Sequence, residues 1–188
     1  MKEIKLSRGM VAIVGDSDFD SLSKYKWHAL NAGSGFYAAR SVRIPNRKMV
    51  LMHRQIMGLC DSHIQVDHID GDGLNNLRSN LRCCKNAENS RNKPISKKNK
   101  SGFKGVCWSK KLNKWESFIK IDFKTFRLGC FTDIIECALS YDIAANMVHG
   151  EFARTNNVQD DTSISCYRKQ EIEAIVRKKL DKISCSNQ

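Results

Sequence analysis

The 188-residue sequence has no long apolar run. The longest early one, Met10 to Val14, is far too short for a membrane span or for the apolar region of a signal peptide. None of its eight cysteines forms a Cys-x-x-Cys pair, and the adjacent Cys83 and Cys84 are poorly placed for one tetrahedral zinc, so a structural zinc is disfavoured. Without an export signal, these cysteines imply reduced thiols in a cytoplasm, not a disulfide framework. Acidic residues are missing in one place. Residues 93–130 carry 11 Lys or Arg against 2 Asp or Glu, whereas the flanking segments are near balance at 14 against 9 and 7 against 9.

That skew accounts for most of the formal charge of +12. A solvated face would not need such lopsidedness. Clustered Lys and Arg gain affinity for polyanions by releasing counterions from phosphates, so the partner is expected to be a nucleic acid, with no membrane involved.

Three segments and a linker can be read. Residues 1–60 carry short β-like runs: Ile4 to Val14 in partial alternation, Tyr25 to Ala29, Phe36 to Ile44, and Met49 to Met52, with turns at 31–35 and at Pro45-Asn46. Arg40, Arg43, Arg47 and Lys48 decorate these runs, either as phosphate contacts or as a solvated face. Ile64 to Ile69 reads as a strand, 70–79 as a loop, Leu81 to Cys83 as a strand, and Asn86 to Arg91 as a short helix: a ββα pattern. Residues 93–100 read as a charged, flexible linker. Three β-like runs follow (104–108, 115–121, 125–128), then a helix over 133–148 with Thr132 as its N-cap and Gly150 as its stop. Ile172, Ile175, Val176, Leu180 and Ile183 form an amphipathic stripe in a C-terminal tail, 158–188, whose docking partner the sequence does not reveal. The expected fold class is α+β.

The most informative residues are Asp67 and His68, followed by Asn80 and Asn89. Cutting a phosphodiester requires a base for the attacking water and a positive charge against the added charge on phosphorus. An imidazole titrates near neutrality and suits the first task. Asp67 and Asn89 supply hard oxygen donors, which suit one divalent cation: Mg²⁺, with Mn²⁺ as the alternative. Side chains alternate along a strand, so Asp67 and His68 would diverge within regular pairing, and a twist or strand end is expected there. The acidic run from Asp70 is not an EF-hand loop: that template wants Gly sixth and Glu twelfth, where Asn75 and Leu81 stand.

With Asp67-His68, Asn80 in Asn80-Leu81-Arg82, and Asn89 in Asn89-x-x-Asn92, the chain resembles the HNH (ββα-metal) endonucleases. Asn89 stands where many members have His, as in the homing-endonuclease branch; Met1 to Lys5, Tyr25 to Trp27 and Met52-His53-Arg54 look like that branch too. The resemblance implies His68 as general base, Asp67 and Asn89 as metal ligands, and Asn80 tying the loop and orienting the histidine. It implies 5′-phosphate and 3′-hydroxyl ends, and a phage or mobile-element setting, hence the cytoplasm of a bacterial host. Arg54 joins Arg40 and Arg43 as a DNA-contact candidate.

Residues 101–157 resemble the plant ethylene-response-factor (Apetala-type) DNA-binding domain. The match runs through Ser101 to Val106, Lys114-Trp115, Leu128-Gly129-x-Phe131, Ala138-x-x-Tyr141-Asp142-x-Ala144-Ala145 and Gly150-x-Phe152 to Asn156. It implies a three-stranded antiparallel sheet packed on one helix and laid into the major groove, which is wide enough to admit a sheet. Lys104, Lys120 and Arg127 fall on strands where that family places contacts, with Lys110, Lys124 and Trp108 beside them; for Trp108, packing within the module is slightly favoured over stacking on a DNA sugar. Cys107 and Ser109 stand where the plant proteins often have Arg, so much of this module's work is expected to be affinity and positioning.

The expectation is a homing-type endonuclease in two modules (1–92 and 101–157), acting on double-stranded DNA as a monomer and nicking one strand per site. The alternatives are a non-cleaving DNA-binding regulator on a nuclease-like scaffold and, less favoured because the A-form major groove is too narrow for a sheet, an RNA-directed protein.

Overall fold

A computed structural model describes residues 1–33, 35–43, 48–96 and 98–185. The expected turn at Pro45-Asn46, the end of the run at Ile44, and Arg47, Ser34 and Lys97 lie outside the described residues. The architecture is mixed α/β, with several small sheets and, among the described residues, five α-helices, divided into two compact units, residues 1–92 and 93–188. Among the described residues no helix is long and apolar enough to cross a membrane. All eight cysteines carry free thiols.

In the first unit, β1 (Lys2–Lys5) and β2 (Val11–Val14) pair antiparallel, and α1 (Asp16–Leu22) follows. The turn between the strands places Arg8 and Gly9 at positive φ. Alternation sends Ile4, Ala12 and Val14 inward, where they meet Leu22 and Trp27. The Trp27 indole donates to Leu22 O at 2.8 Å, so a large apolar ring is buried without orphaning its N–H. Strands β3 (His28–Asn31), β4 (Phe36–Val42) and β5 (Lys48–Leu51) form an antiparallel sheet in that order, leading straight into α2 (Met52–Ile56).

The ββα segment closes the unit: β6 (Gln65–His68), then β7 (Asn75–Asn76), which adds to β2 in parallel, then β8 (Leu81–Cys84), antiparallel to β6, and α3 (Asn86–Arg91). Glu88 accepts from Lys85 N at 2.7 Å and so caps the first turn of α3. Asp18, buried on α1, takes two bonds from the Arg78 guanidinium (2.9 and 2.8 Å) and ties the β7–β8 connection to the N-terminal sheet.

In the second unit β9 (Val106–Ser109), β10 (Lys114–Ile121) and β11 (Lys124–Phe131) form an antiparallel sheet with β10 central. Helix α4 (Ile134–His149) packs on it, and α5 (Cys166–Cys185) packs on α4. Being covered on two sides, α4 buries Cys137, Leu139, Tyr141, Asp142 and Ala145 almost all round, not along one stripe. The N-cap is Asp133, not Thr132: its carboxylate accepts from Ile135 N (2.7 Å) and Glu136 N (3.0 Å). The tail stripe docks on the unit's own core, with Ile172 and Val176 fully buried beside Ile119 and Leu128, and Arg168 gripping Glu136 of α4 at 2.7 and 2.8 Å. Gly105, at φ +73°, lies flat against Tyr141; a Cβ there would overlap the ring. Asp142 accepts from Asn156 N (2.7 Å), Asn156 Nδ2 (2.9 Å) and Val158 N (3.3 Å), while the Asn156 amide oxygen takes Lys104 N (2.6 Å). One buried carboxylate thus fastens the segment after α4 to the start of the sheet.

Candidate active site

Strand β6 ends at His68, and β6–β8 pairing sets Asp67 opposite Arg82. The Arg82 guanidinium donates to Asp67 Oδ2 from Nε (2.9 Å) and Nη2 (2.6 Å). The pair is buried: the side chains are 6% and 13% exposed. From the residue just past α3, the Asn92 amide donates to both Asp67 oxygens at 3.0 Å and to His68 O at 2.8 Å. Asn89, one turn earlier, instead donates to Gln65 Oε1 at 2.6 Å. The amide at the aspartate is therefore that of Asn92.

Below His68 the loop is wound by its own side chains. Asp70 accepts from Asp72 N (2.8 Å), and Asp72 accepts from Leu74 N (2.9 Å), with Gly71 at φ +81° between them. Asn80 spans this loop, accepting from Asp70 N (3.1 Å) and donating to Asp70 Oδ1 (2.9 Å) and Asn75 O (2.8 Å). The residue that meets the imidazole is Asn76, whose Oδ1 lies 3.4 Å from His68 Nε2. The only sequence signal for it was the Asn75-Asn76 doublet.

A second histidine completes the floor. His53 on α2 sets its ring perpendicular to that of His68 at 5.0 Å, and Tyr37 of β4 lies 5.6 and 5.7 Å from the two. Gly73 permits this, since a Cβ there would run into Phe36 O and the Tyr37 ring. His53 is 5% exposed and its Nδ1 has no hydrogen-bond partner. Burial, then the neighbouring His68 and Arg54, push its pKa down to about 3. Burial also lowers His68, against the opposing pull of Asn76 and the carboxylates of Asp70, Asp67 and Asp72. Desolvation, with Asp67 nearby, raises Tyr37. Burial alone would raise Asp70, but bonds from Asp72 N and the Asn80 and Asn75 amides hold it low. The result is a neutral imidazole beside a fixed negative charge.

Among the described residues no cluster of three or more His, Cys, Asp or Glu is arranged as a metal cage. The oxygen donor there is the Asp67 carboxylate, since Asn92 and Asn89 turn their amide nitrogens to Asp67 and Gln65. That fits a hard cation that leaves its other positions to water and phosphate, as Mg²⁺ does. A shallow cavity of about 480 Å³, lined by Ile4, Phe19, Tyr25 and Trp27 among others, does not include Asp67 or His68.

The family model for HNH endonucleases matches residues 48–91, which span His53, Asp67, His68, Asn80 and Asn89. Protein 3.8 of Escherichia phage T7 is 36% identical over 89 residues, 47% of this chain and 73% of that protein. Residues 48–91 thus carry an HNH endonuclease domain. An uncharacterized HNH endonuclease of Acanthamoeba polyphaga mimivirus is 29% identical over 151 residues, 80% of this chain and 77% of its own length. The domain and the viral HNH relative suggest a nuclease, hence a hydrolase acting on DNA, and HNH nucleases generally use a divalent metal ion.

The cationic residues of this HNH protein are placed unevenly. Arg40 stacks on Tyr25 (3.9 Å) and bonds Gln55 (3.0 Å), and Arg54 holds the carbonyls of Ile64 (2.6 Å) and Asp61. Both guanidinium groups thus serve the local structure; Arg43, just past β4, is exposed. In the second unit Lys104 is not on a strand. It sits in the turn before β9, with Nζ on Lys93 O (2.9 Å), and burial followed by Arg154 lowers its pKa to about 8. Trp108 meets Trp115 edge to face at 5.0 Å, its cross-strand partner on the helix side of the sheet. The opposite face carries Lys120 and Arg127, the latter paired with Glu116 at 2.8 Å, while Lys110 and Lys124 are exposed at the strand ends.

Proposed function

We propose that this HNH protein is a site-specific, homing-type endonuclease that nicks one strand of duplex DNA, leaving 5′-phosphate and 3′-hydroxyl ends. The observation that carries the reading is His68, buried at the end of β6 next to Asp67 and within the segment matched by the family model. His68 takes the proton of a water as it attacks phosphorus, and the 3′ oxygen departs. Asn76 holds the imidazole, Asn80 fixes the loop beneath it, and Arg82 with Asn92 holds Asp67 in place. Asp67, with the amide oxygen of Asn89, would hold a divalent cation, which when bound would offset charge on the phosphate and the leaving oxygen. Residues 101–157 read and grip the duplex through the β9–β11 sheet, so that binding by one unit raises the effective concentration of the other at the DNA.

The test is nicking of a supercoiled plasmid carrying the target in Mg²⁺. EDTA should stop it, and His68→Ala should lower the rate by about 10²–10⁴-fold while DNA binding persists. Unchanged cleavage by His68→Ala removes the base assignment. Binding without cleavage by the wild-type protein would favour a regulator on a nuclease-like scaffold.

A further inference from the structure

The β10–β11 connection is a two-residue hairpin, since Ile121 pairs with Lys124. Its loop residues, Asp122 and Phe123, both have positive φ, 44° and 67°. Such turns favour Asn or Asp followed by Gly, because only Gly takes the second position without strain. Asp122 conforms and Phe123 does not: a bulky aromatic occupies a left-handed position. Phe123 is also 86% exposed, the most exposed large apolar side chain among the described residues. Neither local conformation nor core packing therefore accounts for it, and both argue for glycine.

Its surroundings point to a ligand. Lys120 Nζ lies 5.9 Å from the centre of the ring, and Lys124 is exposed beside it. Lys120 belongs to the same sheet face as Arg127, the face turned away from α4. A flat apolar ring held out on a two-residue turn, with the Lys120 cation against it and Lys124 next in the chain, complements a surface that is anionic along its edges and apolar between them. A nucleic acid duplex has both, in its phosphates and in the stacked faces of its bases.

The geometry points to Phe123 as a wedge that inserts at a base step of duplex DNA while Lys120 and Lys124 hold the flanking phosphates. This rests on the DNA-reading role proposed for residues 101–157. Strain at the tip is then retained because a stiff hairpin delivers the ring without further loss of freedom on binding.

The experiment uses the full chain in EDTA, with fluorescence anisotropy on a short labelled duplex, fully paired or carrying one central T·T mismatch. Phe123→Gly should melt at higher temperature than the wild type yet bind the paired duplex about tenfold more weakly, the scale of one lost aromatic stack. Its salt dependence should be unchanged, as no charge is removed. The wild type should prefer the mismatched duplex, whose step opens more easily, and Phe123→Gly and Phe123→Asn should both lose that preference. Lys120→Ala and Lys124→Ala should each reduce the salt slope by about 1. If the lysine variants weaken binding while both Phe123 variants match the wild type on both duplexes, the wedge is overturned and the DNA-reading sheet stands. If all four bind like the wild type, the sheet reading falls and the wedge with it.

Discussion

Among the described residues, the first unit buries two histidines, two aspartates and three asparagines, while the second buries two serines, one aspartate and one histidine around a larger apolar cluster. The second unit is built in the ordinary way: β10, β11, α4 and α5 close over Ile119, Leu128, Leu139, Ile172 and Val176. The first gives much of its interior to groups that folding alone would keep in water. Those groups survive there because nearly all are satisfied in pairs, Asp67 by Arg82 and Asn92, Asp18 by Arg78, and Asn80 by its loop. The unit that carries the chemistry should thus be limited by polar matching, and the other by apolar packing.

Arg82→Ala attacks this contrast hardest. It leaves Asp67 buried without its cation, at a cost of about 3–5 kcal/mol. Hydrogen exchange should show protection lost throughout residues 1–92 and kept in 93–188. Equal loss in both units would mean that the polar pair does not govern the first unit separately, and no loss would mean that Asp67 is hydrated in the native state.

Acid should separate the units by sign. His53 and His68 have folded pKa values below the 6.5 of the unfolded chain, so between the two values the unfolded state binds more protons and stability falls as pH drops. The folded value of His53, about 3, sets the lower limit of its window. Going from pH 6.5 to 5, His53 alone should remove on the order of 1–2 kcal/mol from the first unit. Asp142 works the other way. Its folded pKa is raised by burial, so the folded state binds more protons near 3.8, and Asp142 adds stability to the second unit as pH falls towards that value. Unit-resolved exchange at the two pH values should show the first unit losing stability; an equal loss in the second would break the comparison.

The parts legible in the sequence were those set by neighbours along the chain. The expected strand 64–69 is observed as Gln65–His68, the expected strand 81–83 as Leu81–Cys84, and the helix Asn86–Arg91 with those bounds. The strand end anticipated at Asp67-His68 is where β6 stops. What the sequence hid were meetings between distant positions. Asn92 reaches Asp67 across 25 residues, Arg78 reaches Asp18 across 60, and nothing local distinguishes Asn92 from Asn89, a helical turn away. Arg40 and Arg54 read as cations in search of phosphate because their internal partners, an aromatic ring and two carbonyls, leave no local signature. Lys104 read as a strand residue because its β-like run continues to Trp108, but Gly105 at positive φ delays the strand to Val106.

His53 offers the finest probe, because it is the exception to polar matching in the first unit. Its Nδ1 is buried and unpartnered, so a core selected only for stability would replace it with an apolar side chain of similar size. His53→Leu should leave the first unit within about 1 kcal/mol of the wild type or make it more stable, since an unsatisfied nitrogen disappears as an edge-to-face contact is lost. If the ring also holds His68 in place, the variant should nick more slowly with DNA affinity unchanged, and His53→Asn, which restores a polar group but not the ring, should not rescue it. Plasmid nicking and thermal melting on the same samples separate the outcomes. A variant that is destabilised by several kcal/mol would show that the histidine belongs to the unit's packing, and one that is stable and fully active would show that only the Tyr37 and His68 rings are needed at that floor.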